Sequence, residues 1–129
     1  MFTFRKSERL CSQKLIEELY QTGNRFTVFP ITVYWKVIEP TLIGPPVQVL
    51  IVAPKRRLRH AVDRNRVKRL MRESYRTQKQ RLYDTLKSRN QKLTISLSYS
   101  HTDIYEYHSI EKKVEKVIDK LIAQIGETI

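Results

Sequence analysis

Apolar and polar positions along the chain follow a period of 3.6 in some stretches and of 2 in others, and the changes of period mark the predicted elements. The first stretch, residues 12–22, predicts a helix that Ser12 can cap at its N-terminus and that Gly23 can end. Its apolar positions recur at helical spacing and are Leu15, Ile16, Leu19 and Tyr20.

The next apolar stretch is rich in β-branched and aromatic residues, as strands are. Within residues 26–38, Pro30 divides a short lead-in from a main strand over 31–38. Pro and Gly residues in 39–46 indicate a turn, and residues 47–53 read as a second strand. The pattern therefore predicts an antiparallel hairpin of these two strands.

After Pro54 the helical period returns. The core-facing positions fall on one arc of a helix and are Val67, Leu70, Met71, Ser74 and Tyr75. The opposite arc is polar and basic, with Asn65, Lys68, Arg69, Arg72 and Arg76. Leu82 and Leu86 predict that helix continues or restarts within residues 77–89, before Asn90. One helix thus presents an apolar stripe and a basic face.

Two further elements complete the chain. Residues 92–100 alternate apolar and polar positions, as in a strand with one buried face, and Ser109 can cap the start of a final helix. The order α-β-β-α-β-α predicts an α+β sandwich of a small mixed sheet with helices, in a single domain over 1–129. The strands on either side of the basic helix are expected to be parallel if they are neighbours.

Composition adds an unusual charge. The 129 residues contain 25 Lys and Arg against 13 Asp and Glu, a net charge of +12. Twelve of these basic residues lie between Lys55 and Arg81, where Asp63 and Glu73 are the only acids, so this stretch alone has a net charge of +10. We expect a polyanionic partner, with nucleic acid first and an acidic membrane surface second.

Like charges recur along the basic helix, because Lys68 follows Arg64, Arg72 follows Lys68 and Arg76 follows Arg72 at i, i+4. Such repulsion costs a helix a few tenths of a kcal/mol for each pair, about 0.2–0.5 kcal/mol. A solvated face with no binding role would relieve this repulsion with acidic neighbours, so we favour RNA binding.

Other features bound the chemistry. The single cysteine, Cys11, allows no internal disulfide, and no apolar run reaches the ~18 residues of a membrane span, so a cytoplasmic protein with no membrane partner is expected. His60, His101 and His108 have no metal-ligand spacing. No nucleophile arrangement, Gly-rich phosphate loop or paired catalytic carboxylates are evident, so the chain alone is not expected to be a nuclease.

The run HAVDRNRVKRLMRESYR, residues 60–76, closely resembles the RNR signature of the bacterial ribonuclease P protein subunit. The similarity covers some ten ordered positions of the motif. The surroundings are similar too: a leading FRKSERL, a short helix ending at Gly23, a Pro-Lys-Arg turn after the second strand, and a final strand and helix.

This resemblance implies two RNA-binding regions. The positions expected to contact a catalytic RNA are Arg64, Asn65, Arg66, Lys68, Arg69 and Arg72, with Lys55 and Arg56 from the preceding turn. A cleft between the first helix and the sheet would hold the 5′ leader of precursor tRNA through Ile16, Tyr20 and Tyr34. Trp35 is expected on the opposite face of the sheet from Tyr34.

The sequence departs from the family pattern at two places. Ile16 stands where the family usually has Phe, and Arg57 to His60 replace the usual Gly-Asn before the Ala-Val pair. The resemblance also implies an unusual left-handed βαβ crossover through the basic helix, as in the second domain of ribosomal protein S5.

The implied function is that of the protein subunit of a ribonucleoprotein endonuclease that removes the 5′ leader from precursor tRNA. The catalytic RNA would perform the hydrolysis with magnesium bound in the RNA holoenzyme, and the protein would bind no cofactor alone and supply no catalytic residue. A ribosomal or other structural RNA-binding protein is the alternative. A DNA-binding regulator is disfavoured, because strands rather than a helix-turn-helix partner flank the basic helix.

Overall fold

The computed structural model describes residues 6–39 and 44–127. A short 3₁₀ helix, Lys6–Glu8, precedes eight longer elements. In chain order these are α1 (Gln13–Thr22), β1 (Asn24–Val28), β2 (Ile31–Ile38), β3 (Val47–Val52), α2 (Ala61–Gln78), α3 (Gln80–Ser88), β4 (Lys92–Tyr99) and α4 (Tyr107–Glu127).

The local signals at the ends of α1 act as the sequence predicts. The Ser12 hydroxyl accepts a hydrogen bond from the Leu15 amide at 3.3 Å and caps the helix. Gly23 ends it, and a Cβ at that position would collide with the Leu19 carbonyl oxygen. Glycine therefore allows the chain to leave α1 and enter β1 at once.

The four strands form one mixed sheet in the order β1-β2-β4-β3. The predicted hairpin between residues 31–38 and 47–53 is wrong, because β4 lies between these strands and pairs with both. β2 forms its hairpin instead with β1, in the stretch read as a lead-in. β4 is buried on nearly its whole length, and the central place in the sheet gives such a strand hydrogen-bonding partners on both sides.

The crossover prediction is confirmed. β3 and β4 pair in parallel, from Val47 opposite Leu93 to Val52 opposite Ser98, and the chain between them passes through α2 and α3. Parallel neighbours need such a long connection, since a tight turn cannot join them. The left-handed sense of the crossover stays a prediction.

The sheet is covered on both faces. Tyr34 lies under α1, where its ring contacts that of Tyr20. The neighbouring Trp35 is buried on the other face, and its Nε1 donates a hydrogen bond to Gln124 of α4 at 2.9 Å. The prediction that these adjacent residues face opposite sides is therefore confirmed.

The predicted phase of α2 is confirmed with one adjustment. Val67, Met71, Ser74 and Tyr75 are buried, whereas Leu70 is only partly buried at the margin of the core. The same core includes the apolar stripe of α4, with Ile110, Val114, Val117, Ile118, Leu121 and Ile125. α4 begins at Tyr107, two residues before the predicted cap Ser109, so Ser109 lies inside its first turn and is not its cap.

Candidate nucleic-acid interface

The exposed side of α2 carries the predicted motif. Asn65, Arg66 and Arg69 are exposed, and Lys68, beside the apolar stripe, is half-buried. Within residues 6–39 and 44–127, none of the three cations has an ion-pair partner. Fixed to a helix whose other side is in the core, they form a rigid cationic surface.

The loop before α2 extends this surface. Its cations are Lys55, Arg56, Arg57 and Arg59, and all are exposed. Leu58 between them is buried, and the amides of Arg57 and Leu58 both donate to the Pro54 carbonyl oxygen, at 3.1 and 3.2 Å. The loop is therefore held by a core anchor and a backbone turn, although it lacks the family's usual Gly-Asn pair.

Arg64 has a structural contact within the chain. Its Nη1 donates hydrogen bonds to the carbonyl oxygens of Leu58 at 2.9 Å and Arg59 at 2.8 Å. These bonds attach the basic loop to the first turn of α2. Arg64 therefore fixes the relative position of the two groups of cations, whatever else its remaining nitrogens contact.

Arg72 lies one turn after Arg69 on α2, beside the edge of the sheet. Together with Arg9 and residues of β3 it lines a small open pocket. Partial burial, and then the positive charge of Arg9, lower the pKa of the Arg72 guanidinium. Its buried Nε has no hydrogen-bond acceptor. A guanidinium in this state favours an anion nearby, which suits a phosphate.

We define the α2 surface as the loop cations Lys55, Arg56, Arg57 and Arg59 together with Arg64, Asn65, Arg66, Lys68, Arg69 and Arg72.

The distal cations of the basic stretch have carboxylate partners instead. Arg76 forms an ion pair with Glu73 at 2.5 Å, and Arg81 pairs with Asp119 of α4. Lys79 is buried, and its Nζ donates to the Glu8 carboxylate at 2.5 Å. The Tyr83 hydroxyl donates to the same oxygen at 2.6 Å, and burial raises the pKa of the Tyr83 phenol. This network ties the N-terminal segment to the junction of α2 and α3.

The predicted cleft lies on the α1 face of the sheet. The rings of Tyr20 and Tyr34 meet edge to face, with centroids 4.8 Å apart. The Tyr20 hydroxyl shares a 2.6 Å hydrogen bond with Ser96 of β4. Tyr20 remains 42% exposed and Tyr34 is half-buried, so both rings keep surface for a ligand.

Ile16 stands one turn before Tyr20 on α1 and is half-buried. It shares the stripe of Tyr20, but it supplies an aliphatic wall and no aromatic ring. The cleft therefore contains two stacking platforms among its three predicted residues.

Two cations beside the cleft were missing from the sequence prediction. The Arg25 guanidinium lies 5.7 Å from the centre of the Tyr34 ring, and the Lys36 ammonium donates to the Thr22 hydroxyl at 2.7 Å. Lys36 has a sequence signal, because it follows Tyr34 by two residues and so shares its face. Arg25 faces Tyr34 only through the β1–β2 register, which the predicted strands did not include.

Groups of acid-base or metal-binding side chains do not converge in the described part of the chain. No three His, Cys, Asp or Glu residues there could hold a metal ion together. His101 and Asp103 are 3.6 Å apart but form only a pair. Among residues 6–39 and 44–127, no helix is long and apolar enough to cross a bilayer.

Solved structures of the Staphylococcus aureus RNase P protein have a similar fold. The Staphylococcus aureus RNase P protein at 2.0 Å resolution superposes with a TM-score of 0.63 and 19% identity, covering 90% of this chain and 96% of that chain. A mutant of the same protein, described as having defective mRNA degradation activity, gives a TM-score of 0.64 over 90% of this chain and 89% of that chain, also at 19% identity. At this identity the likeness concerns the fold.

Sequence relatives determine the family. The Porphyromonas gingivalis strain W83 ribonuclease P protein component is 32% identical over 124 residues, which cover 96% of this chain and 90% of the relative. The corresponding protein of Chlorobium phaeobacteroides is 39% identical over 83 residues, 63% of this chain and 57% of that protein. The model of the family "Ribonuclease P" matches residues 4–122. The chain belongs to the bacterial ribonuclease P protein family and is the protein component of this tRNA-processing endoribonuclease.

Proposed function

We propose that the two faces of the protein bind two different parts of the RNA assembly. The α2 surface binds the ribonuclease P RNA, and the cleft between α1 and the sheet binds the 5′ leader of precursor tRNA. Membership of the family implies association with the RNA component.

The observation that carries the first assignment is the run of cations from Lys55 to Arg72, which have no carboxylate partner among residues 6–39 and 44–127. Arginine can bind two phosphate oxygens at once through its planar fork. The mutual repulsion of these side chains falls when RNA phosphates come between them. Counterion release from the RNA adds to affinity, which makes the binding dependent on salt.

The cleft has a different chemistry. Tyr20 and Tyr34 offer ring surface for unpaired bases, which stack on aromatic side chains regardless of sequence. Arg25 and Lys36 lie within reach of the phosphates between such bases. An unpaired leader suits this surface better than the paired, stacked bases of the tRNA body do.

We propose different roles in the reaction for the protein and for the RNA. The described residues contain no group of three His, Cys, Asp or Glu side chains that could hold a metal ion such as Mg²⁺. In this proposal the RNA component holds the magnesium ions and performs the hydrolysis. The protein reduces phosphate repulsion between two RNAs and holds the leader in place. The single cysteine suits the reducing cytoplasm, which we propose as its place of action.

The test of the cleft uses Tyr34→Ala in the reconstituted holoenzyme. Loss of one stacked base costs about 1–3 kcal/mol, so precursor tRNA should bind roughly 5-fold to 150-fold more weakly. Mature tRNA, which has no leader, should bind as before. Equilibrium affinities of both tRNAs with the same RNA component give the ratio.

Tyr34→Phe is the matched control, because it keeps the ring and removes only the hydroxyl. Trp35→Ala on the opposite face is unsuitable, since Trp35 belongs to the core. An equal loss for precursor and mature tRNA would assign Tyr34 to the fold and contradict leader binding.

A further inference from the structure

An exposed aromatic cluster lies at the turn between β1 and β2 and shares no residue with the α2 surface or the cleft. It consists of Phe29, His101 and Tyr105. The Phe29 ring centre is 5.0 Å from that of His101, and the rings of His101 and Tyr105 stack at 5.5 Å with an angle of 14°. Phe29 is 52% exposed and Tyr105 is 37% exposed. Water therefore contacts ring surface that the fold holds in an ordered arrangement.

The backbone around these rings is fixed by hydrogen bonds. The Tyr99 hydroxyl donates to the Asp103 carbonyl oxygen at 2.6 Å and accepts from the Tyr105 amide at 3.1 Å. The Ser100 amide donates to the Pro30 carbonyl oxygen at 2.7 Å. The two chain segments that carry the rings are thus attached to each other and to the end of the sheet. Such a surface loses little entropy when a ligand binds.

A pocket of about 190 Å³ lies beside the rings, and Phe29, Pro30, Tyr105, Ser109, Ile110 and Lys113 line it. Pockets for drug-sized ligands measure about 300–1,000 Å³. The smaller volume suits one flat ring system lying against Phe29 or Tyr105. Lys113 adds a cation at the side of the pocket.

The acidic and basic residues of α4 form separate rows along the helix, and Lys113 belongs to the basic row. The acids Glu111, Glu115 and Asp119 recur at i, i+4 and face α2 and α3: Gln78 and Arg81 bond to the backbone of the first two, and Arg81 pairs with Asp119. At about 100° per residue, Lys113, Lys116 and Lys120 fall about 100–160° from the middle of this acidic row, and Lys112 lies between the two rows, close to the angle of Asp119.

The lysine row runs along β1. Lys113 lines the pocket beside Phe29, and the Lys120 ammonium lies 5.2 Å from the centre of the Phe26 ring. We call Phe29, His101 and Tyr105 with Lys112, Lys113, Lys116 and Lys120 the α4 surface. Exposed rings next to a row of cations are the combination by which proteins bind single-stranded nucleic acid.

We propose that the α4 surface is a second RNA-binding site, which stacks one unpaired nucleobase on Phe29 or Tyr105 and binds the adjoining phosphates through the lysine row. This inference rests on the proposed function, since it adds a contact to the same RNA assembly. The four lysines favour a polyanionic ligand. The exposed rings favour a ligand that carries bases over one that offers phosphates alone.

The experiment is an NMR titration of the full chain, whose aromatic rings are labelled with ¹³C. The ligand is single-stranded oligoadenylate of six nucleotides. An abasic oligomer of the same length is the matched ligand. We expect oligoadenylate to shift the ring resonances of Phe29 and Tyr105 and the abasic oligomer to leave them nearly unchanged. Phe29→Ala with Tyr105→Ala should weaken the local titration, followed in this variant through the remaining ring of His101, about tenfold, the effect of losing one stack. Phe29→Tyr with Tyr105→Phe keeps both rings and should preserve it.

Salt dependence separates the rings from the lysines. Lys113→Gln with Lys116→Gln should flatten the slope of log affinity against log salt by about 0.7 for each lost phosphate contact, whereas the ring substitutions should leave the slope unchanged. The ring substitutions are then compared in the holoenzyme. If they weaken binding of the ribonuclease P RNA and leave binding of precursor tRNA unchanged, the stacked base belongs to the ribonuclease P RNA. A loss confined to precursor tRNA would assign it to the substrate.

The outcomes distinguish this inference from the proposed function. Ring resonances of Phe29 and Tyr105 that stay unmoved while those of Tyr34 shift would overturn the α4 site and leave the cleft intact. Equal shifts with the abasic oligomer, or shifts with an acidic peptide and none with oligoadenylate, would also overturn it. Absence of RNA binding at every surface would contradict the proposed function itself.

Discussion

The basic stretch of the chain divides into two segments that look alike in sequence and differ in structure. We call residues 55–69 the proximal segment and residues 76–81 the distal segment. Cations of the proximal segment lack carboxylate partners in the described part of the chain, whereas Arg76, Lys79 and Arg81 each contact one. The same residue types therefore support the fold in the distal segment, and we propose that they bind RNA in the proximal one.

The comparison shows that local charge density does not define a binding surface. What matters is whether the fold supplies an acid near each cation, and two of the three acids come from distant parts of the chain. Glu8 lies 71 residues before Lys79, and Asp119 lies 38 residues after Arg81. Only the position of Glu73 beside Arg76 is visible as a helical i, i+3 pair.

The largest expected effect belongs to the buried pair of the distal segment. Glu8→Ala leaves the Lys79 ammonium buried without its carboxylate and also removes the acceptor of Tyr83. Breaking a buried ion pair from one side costs about 3–5 kcal/mol. Chemical denaturation should show a loss of this size in the free energy of unfolding.

The double variant Glu8→Ala with Lys79→Met is the control, because it removes both charges and keeps apolar volume at position 79. It should recover part of the stability lost by Glu8→Ala. If Glu8→Ala unfolds at the wild-type denaturant concentration, the distal segment has no structural role of the kind described.

A smaller effect is expected from the apolar side of α2, which positions the proximal segment. Met71→Ala removes a fully buried side chain and should cost about 2–5 kcal/mol. Leu70→Ala should cost less, since Leu70 lies at the margin of the core. Thermal melting of both variants gives the order, and a larger loss for Leu70→Ala would show that the phase of α2 is wrong.

The sequence was sufficient for features that depend on neighbours along the chain. The Ser12 cap, the α2 stripe and the alternation of Tyr34 with Trp35 all arise from helix or strand geometry within a few residues. Pairing between strands depends on the whole sheet. The insertion of β4 between β2 and β3 became apparent only in the structure, as did Arg25 opposite Tyr34.

For the site residues too, the sequence was sufficient for local features and insufficient for contacts between distant parts of the chain. Arg66, Lys68 and Arg69 of the motif form no ion pair with any described residue, but nothing local distinguished them from Lys79, which is buried. Arg64 was another case, since its bonds to the Leu58 and Arg59 carbonyl oxygens depend on the conformation of the loop. Exposure and partners, which decide the role of a cation, are tertiary properties.

Substitution within the proximal segment should affect binding and not stability. The test variant replaces Arg66, Lys68 and Arg69 together by Ala. Each lost phosphate contact makes the slope of log affinity against log salt less steep by about 0.7–0.9. The triple variant should therefore bind the ribonuclease P RNA with a slope less steep by about 2, while its unfolding curve matches the wild type. A folded triple variant with the wild-type slope would contradict the assignment of the α2 surface.

The smallest effect is expected for Arg81→Gln, which tests the distal segment where it is most exposed. Arg81 and Asp119 retain 41% and 59% of their side-chain exposure, so water and salt screen their attraction. Exposed pairs of this kind contribute about 0–1 kcal/mol, far below the buried pair at Lys79. Because Arg81 already faces an acid of α4, its removal should also leave the salt slope for RNA binding unchanged. Denaturation and salt titration of this single variant check both statements, with Arg69→Gln as the matched change in the proximal segment. A slope lowered equally by the two substitutions would mean that RNA competes with Asp119 for Arg81, and the boundary between the two segments would then move toward α3.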